Sequence, residues 1–148
     1  IFSERVLVLG PEGGFQRQIG FPADYGFIAD IAVDRRGTVF LVDSVRATVY
    51  SAAKDAAQFA PFTRSLKEYM DFPTAIAVDP QGRVFLTDRN GSGIVVIGRD
   101  GAFQERLLSK GWPEGFLNYP SQICVNEKGD VFIADRNNSR VQIFTMLK

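Results

Sequence analysis

The chain has 148 residues, 45% of them hydrophobic and 23% charged, a balance that supports a buried core and excludes a disordered chain. Seventeen basic residues offset seventeen acidic ones, so no net field draws in a nucleic-acid backbone or an anionic membrane. With no His and a single Cys, imidazole and thiolate metal cages, the usual histidine general base and an internal disulfide are excluded, and cysteine usage indicates no redox compartment.

No apolar run approaches the roughly 20 residues of a membrane-spanning helix, and residues 1–5 lack the basic, apolar and small-residue pattern of a signal peptide. A first residue other than Met marks the chain as processed or as part of a longer one. In chain order, "VLVLGPEGGFQRQI" (6–19) reads as a hairpin, two alternating runs around a Gly- and Pro-containing turn. It closes a partial unit over residues 1–20. The next unit, 21–66, holds "IAVDRRGTVFLVD" (31–43), which alternates, turns at Gly37 and alternates again, followed by a third run ending near Tyr50. The Ala-rich stretch beyond Tyr50 allows either a fourth strand within 58–66 or a short helix within 51–57. Residues 67–109 hold "IAVDPQGRVFLTD" (76–88) and the hairpin "GIVVIGRDGAFQERLL" (93–108); residues 110–148 hold "ICVNEKGDVFIAD" (123–135) and a last run, "VQIFT" (141–145).

With the strands of a full unit named a, b, c and d, the chain runs c–d, a–d, a–d and a–c, thirteen strands in all. Gly37, Gly82 and Gly129 are 45 and 47 residues apart, and Asp43, Asp88 and Asp135 keep the same steps. Short strands at such a period are the pattern of propeller blades rather than of helical solenoids. The "IAVD..G.VF..D" core followed by "RNNSRVQIF" resembles the NHL repeat, most closely in the third copy, and the resemblance covers nearly the whole chain. It implies an all-β fold, a β-propeller of about three four-stranded antiparallel blades, where the family commonly closes six.

A half-ring leaves raw sheet edges and an uncovered interblade face, which closure removes. Two arrangements satisfy this: a homo-oligomer in which two half-rings close one propeller, or a fragment of a longer chain. In the first, strand d of one N-terminus joins strands a, b and c of the partner's C-terminus, and one copy of strand c is displaced.

The recurrence of Asp43, Asp88 and Asp135 after strand b predicts a structural role, accepting hydrogen bonds from the turn that follows. Arg140 is placed to return across that loop to Asp135; the second copy has Gly93 at the aligned position. Cys124 replaces Ala32 and Ala77, which predicts an inert, buried thiol.

Strand direction puts the b–c loops and the d–a connectors on one face. That face carries Arg46, Arg89, Asn90, Arg136, Asn137 and Asn138 with the connectors 20–27, 67–73 and 110–120, a mixture of Arg, Asn, Trp and Tyr suited to recognition. Phe72, Phe116 and Tyr119 are expected to plug seams between blades, and Tyr25, Tyr69 and Trp112 to lie at the surface. The candidate ligand-binding residues are therefore Tyr25, Arg46, Tyr69, Arg89, Asn90, Trp112, Arg136 and Asn137.

The function this predicts is a noncatalytic binding or assembly scaffold for a protein, peptide or glycan, without cofactor, nucleic-acid or membrane-insertion role. The alternative is a calcium-dependent lyase or lactonase with a metal in the central channel, as the resemblance allows. There Asp30, Ala75 and Gln122 begin the innermost strands and offer one carboxylate and one amide, against the six to eight oxygens calcium prefers. Zinc-dependent relatives use His ligands, absent from this chain. A nucleic-acid surface built on Arg46, Arg89 and Arg136 is offset by the neighbouring Asp43, Asp88 and Asp135. Resemblance to bacterial NHL proteins implies an exported location, periplasmic or extracellular.

Overall fold

Three turns of one design shape the a–b hairpins of the computed structural model, which describes residues 4–146. Asp34, Asp79 and Asn126 stand at the end of strand a, and each side chain folds back on its own turn. Asp34 Oδ1 accepts from the N–H groups of Arg36 and Thr38 at 2.9 Å each, Asp79 Oδ1 from Gln81 and Arg83 at 3.0 and 2.8 Å, and Asn126 Oδ1 from Lys128 and Asp130 at 3.0 and 2.9 Å. Gly37, Gly82 and Gly129 complete these turns at φ of 83°, 84° and 88°, a left-handed conformation that a side chain would strain. The repeated glycine thus fixes where each chain reverses, and with it the register of the hairpin.

The strands are β1 (Arg5–Leu9), β2 (Phe15–Gly20), β3 (Ile28–Val33), β4 (Val39–Asp43), β5 (Thr48–Ala52), β6 (Ala60–Pro61), β7 (Pro73–Val78), β8 (Val84–Asp88), β9 (Gly93–Ile97), β10 (Phe103–Leu107), β11 (Pro120–Val125), β12 (Asp130–Asp135) and β13 (Arg140–Thr145). They form four antiparallel sheets, β1–β2, β3–β4–β5–β6, β7–β8–β9–β10 and β11–β12–β13. This is the c–d, a–d, a–d, a–c order read from the repeat. Among the described residues no helix is long and apolar enough to cross a membrane.

The fourth strand of the first full blade is the two-residue β6, within the stretch 58–66, and no helix occupies 51–57. Its shortness has a local cause. Pro61 has no N–H to give the ladder, and beyond it the Thr63 Oγ1 accepts from the Val49 N–H at 3.1 Å while the Phe62 N–H donates to the Val49 carbonyl at 2.8 Å.

Each seam between sheets is filled by its own apolar cluster. Ile19, Val39, Leu41 and Tyr50 join the N-terminal hairpin to the first full blade; Phe40, Val42, Ile76, Leu86 and Val95 join the first to the second; Ala77, Phe85, Ile94, Ile123 and Ile133 join the second to the third. Each fully buried Val, Leu, Ile or Phe side chain contributes about 1.5–3 kcal/mol through removal from water. The inner strands β3, β7 and β11 stand side by side, as blades around an axis require.

The two outer faces of this stack are open. On the C-terminal sheet Val141 and Ile143 are 64% and 63% exposed, and on the first full blade Ile31 and Val33 are 45% and 60% exposed. Cys124 lies on the open C-terminal face, paired in register with Phe132. It is exposed rather than buried. Ala77, its counterpart one blade earlier, is covered by the third blade; among the described residues no further sheet stacks on the C-terminal one to do the same for Cys124.

Candidate functional site

Three buried carboxylates organise the loop face. Asp43 accepts from the N–H groups of Gly26, Phe27, Val45 and Arg46 at 2.7–3.1 Å, and the Tyr50 hydroxyl approaches its Oδ2 at 3.3 Å. Asp88 accepts from the N–H groups of Asp71, Phe72 and Gly91 at 3.1, 2.9 and 3.2 Å and from Arg106 Nη1 at 2.8 Å. Asp135 accepts from the Asn118 N–H at 2.7 Å and from the side chains of Asn138, Arg140 and Gln142 at 2.8, 2.9 and 3.0 Å. In every copy the carboxylate ties the d–a connector to the end of strand b, a join the sequence did not predict; the expected backbone bonds from the following turn are made to Asp43 by Val45 and Arg46 and to Asp88 by Gly91, whereas Asp135 takes the Asn138 side chain instead. The same join is repeated in the backbone, where the N–H of Ser44, Arg89 and Asn137 donates to the carbonyl of Phe27, Phe72 and Asn118. The b–c loops and d–a connectors therefore share one face.

Burial alone would raise the pKa of Asp43, but the N–H groups of Gly26, Arg46, Phe27 and Val45 outweigh it and hold the carboxyl below its ordinary value. Asp135 is held down in the same way, against burial, by the Asn118 N–H and the side chains of Asn138, Arg140 and Gln142. Both are ionised and fully occupied at neutral pH, and so are unsuited to accept a substrate proton.

The predicted recognition residues fall into three groups, and two of these residues, Tyr25 and Tyr69, are half-buried against the seam clusters rather than at the surface as expected. In the first blade Arg46 is bonded through both Nη atoms to Asp24 at 2.6 Å, and Tyr25 meets Phe21 edge-on at 5.4 Å. In the second, Tyr69 stacks on Phe103 with ring centroids 3.7 Å apart, Asn90 is exposed, and Arg89 lies over the rings of Phe72 and Tyr119 at 4.8 and 5.0 Å. In the third, Arg136 and Asn137 are exposed in a 3-10 turn over Arg136–Asn138. There Asn138 Nδ2 donates to the Gly111 carbonyl and Arg140 Nη2 to the Pro113 carbonyl, both at 2.9 Å. These bonds bracket Trp112, which is 78% exposed, and bring it beside the turn that carries Arg136.

Of the aromatic side chains expected in the seams, Phe72 and Tyr119 are half-buried but Phe116 is 41% exposed. Phe116 covers Gly111 instead, so closely that a Cβ there would lie 2.9 Å from the Phe116 Cβ. Its carbonyl is held by Arg140 and Gln142, so the backbone of this residue is fixed while its ring remains at the surface. The sequence reading missed Arg106, Tyr50, Asn138 and Gln142 as partners of the carboxylates. For Arg106 a signal was present: a glycine at position 93, where the third copy has Arg140, leaves room for a side chain arriving from elsewhere.

The inner surface where β3, β7 and β11 stand side by side mixes polar and apolar residues, with Asp30 and Gln122 beside Ile31, Val33, Val78 and Val125. Its two polar candidates are engaged: Asp30 Oδ2 accepts from the Ile76 N–H at 3.0 Å, across the blade boundary, and Gln122 Oε1 from the Ile123 N–H at 2.9 Å. Among the described residues no group of three or more His, Cys, Asp or Glu side chains is placed to hold a metal ion.

Residues 117–144 match the family model described as NHL repeat. This stretch is an NHL repeat. It takes in Leu117 of the core, β11, β12 and β13 as far as Phe144, and so includes Asp135 with all four of its partners. A comparison with the curated proteins finds no match. Among solved structures the chain is similar to a catalytically inactive virginiamycin B lyase variant from Staphylococcus aureus with quinupristin, at 16% identity and a TM-score of 0.69, covering 97% of this chain and 49% of that one. It is similar to a streptogramin B lyase at 14% identity and a TM-score of 0.71, covering 97% and 48%. A chain of a nidogen/laminin complex is similar at 17% identity and a TM-score of 0.60, covering 93% and 56%. The chain with the NHL repeat thus spans about half the length of the structures it resembles. Its fold is that of a β-propeller segment.

Proposed function

We propose that this chain is a noncatalytic binding scaffold that holds a protein, peptide or glycan on its b–c and d–a loop face. The observation that carries the reading is the contrast within that face. The carboxylates beneath it are consumed in holding the loops, while Trp112, Arg136 and Asn137 stand exposed above them on backbone fixed from below. A large amphipathic ring on a pre-ordered loop gives contact area without a further ordering cost. A propeller chain in a nidogen/laminin complex is a precedent for the fold in protein binding. The test is capture of ligands from peptide and glycan arrays. Trp112→Ala combined with Arg136→Ala should lose capture at an unchanged melting temperature; a lowered melting temperature would show these side chains to belong to the fold instead.

Self-association is proposed as a second property, on the match between the two open faces. Within the chain, Ala77, Phe85, Ile94 and Val96 of the second blade pack on Ile123, Val131 and Ile133 of the third. By strand register the open C-terminal face presents the corresponding Cys124, Phe132, Val141 and Ile143. The open edge of the first full blade presents Ile31 and Val33, the counterparts of Ile123 and Val125. A second copy brings these surfaces together in the geometry already used between the second and third blades, with the partner's β13 taking the place of β1. Light scattering at rising concentration should show a dimer. A mass that stays at 16.4 kDa assigns the faces to other repeats instead.

A further inference from the structure

Arg89 follows β8 in the middle blade, and its guanidinium carbon lies 4.8 Å from the Phe72 ring centroid and 5.0 Å from that of Tyr119. Phe72 precedes Pro73, the first residue of β7, and Tyr119 precedes Pro120, the first of β11. The two rings therefore belong to the connectors of adjacent blades, where the innermost strands begin at the mouth of the channel. Two aromatic faces, one on either connector, set the plane of the guanidinium through cation–π attraction.

Among the described residues this cation finds no acceptor. Its Nε is buried and has no hydrogen-bond partner among them. The adjacent carboxylate, Asp88, is committed to Arg106 and to three backbone N–H groups. Arg46, Arg83, Arg106 and Arg140, by contrast, are each paired with an aspartate. The two Nη atoms of Arg89 are neither bonded within the described residues nor sealed off with Nε, and they form the outward edge of the group.

The seam itself does not require a guanidinium. At the aligned position of the first blade stands Ser44, whose Oγ donates to the Pro73 carbonyl of the next blade at 2.6 Å. A short hydroxyl closes the same join. A planar cation with a fixed plane, a free edge and no internal counter-charge is preorganised for a planar, two-oxygen anion.

We propose that Arg89 is the carboxylate-recognition group of the loop face, taking through its two Nη atoms an Asp or Glu side chain, or the terminal carboxylate, of a peptide partner. This rests on the reading of that face as a recognition surface and narrows it to acidic peptides. The test follows the Arg89 Nε–H signal in 15N-labelled protein, assigned by its loss in Arg89→Lys. The probes are sodium acetate against sodium chloride at equal ionic strength, inorganic phosphate, and acetyl-Gly-Gly-Glu-amide against its Gln counterpart. Acetate and the Glu peptide should give saturable shifts, with none from chloride or the Gln peptide, and Arg89→Lys should weaken the Glu peptide about tenfold or more. A response to phosphate alone, or equal responses to the Glu and Gln peptides, overturns the carboxylate assignment, as does no response at all. In those cases array capture that still depends on Trp112 and Arg136 leaves the broader reading standing. Loss of that capture with the Glu-peptide response intact removes the broader reading and keeps Arg89 as an anion site.

Discussion

Arg106 reaches the carboxylate of Asp88 at 2.8 Å from the outermost strand of the middle blade, through space that Gly93 leaves empty. In the third blade the same task falls to Arg140, which is paired with Asp135 in the ladder as Gly93 is with Asp88. A Cβ on Gly93 would lie 2.6 Å from the Arg106 Nη2. One cation is thus supplied by strand c in one blade and by strand d in another. Gly93→Ala should displace the guanidinium and lower stability by about 1–3 kcal/mol, the cost of weakening a hydrogen bond to a buried charge. Arg106→Ala should cost a similar amount. The decisive variant joins Gly93→Arg to Arg106→Ala, which rebuilds the third blade's arrangement and should return most of the loss in urea denaturation. Additive destabilisation in that double variant would show that the two positions do not serve one site.

Acid stability follows from Asp43 and Asp135. Both carboxyls are held below their ordinary value in the folded protein, while an unfolded Asp titrates near about 3.9. The folded state therefore binds fewer protons, and the stabilisation is complete above the unfolded pKa and is lost as pH falls through the lower, folded one. Melting temperature should hold as pH drops to about 5 and fall steeply below about 4. Asp135→Asn should flatten that limb.

At the alkaline end the sign reverses. Burial, with the Asp43 charge beside it, raises Tyr50 from 10.0 to about 12, so its neutral form is favoured by folding, and that stabilisation is present below pH 10 and fades as pH rises toward 12. Tyr50→Phe should remove this dependence while costing about 0.5–1.5 kcal/mol at neutral pH for the hydroxyl's hydrogen bonds.

The hairpins were legible because three copies place the same turn at the same point, so that alternation and glycine spacing fix both strands and their register. That Asp135 is structural was legible for the same reason. What escaped was whatever one blade solves differently from its neighbours. Arg106 acts on a carboxylate 18 positions earlier, and strand periodicity says which way a side chain points but not how far it reaches. The brevity of β6 follows from Pro61 and Thr63, neither of which recurs. The exposure of Cys124 depends on what stacks against β11, which its similarity to Ala32 and Ala77 cannot express. The pairing of Arg46 with Asp24 depends on the 20–27 connector, whose sequence is not repeated in the corresponding connectors 67–73 and 110–120.

Cys124 reports on whether its face is covered. The thiol is exposed on the face that also holds Val141 and Ile143, so it should react readily with an alkylating reagent in dilute protein. Stacking of a second copy would bury it as Ala77 is buried, 7% exposed in its seam. The labelling rate should then fall as concentration rises through the association range, and Ile143→Asp should restore fast labelling at all concentrations by placing a charge in an apolar seam. A rate independent of concentration would count against closure by a second copy.

Trp112 is the only tryptophan in the chain, and at 78% exposure its fluorescence should be that of an indole in water, quenched freely by iodide or acrylamide. The loop beneath it is held by Asn138 and Arg140, so its position is set although its ring is not packed. Occupation of the loop face should blue-shift the emission and protect it from quencher, because contact with a partner removes the ring from water. Asn138→Ala should leave the free protein's emission unchanged yet weaken the ligand-induced shift, since it loosens the loop without touching the indole and raises the ordering cost of binding. An emission already shielded in the free protein, or a partner that binds without altering it, would place the contact elsewhere on the propeller.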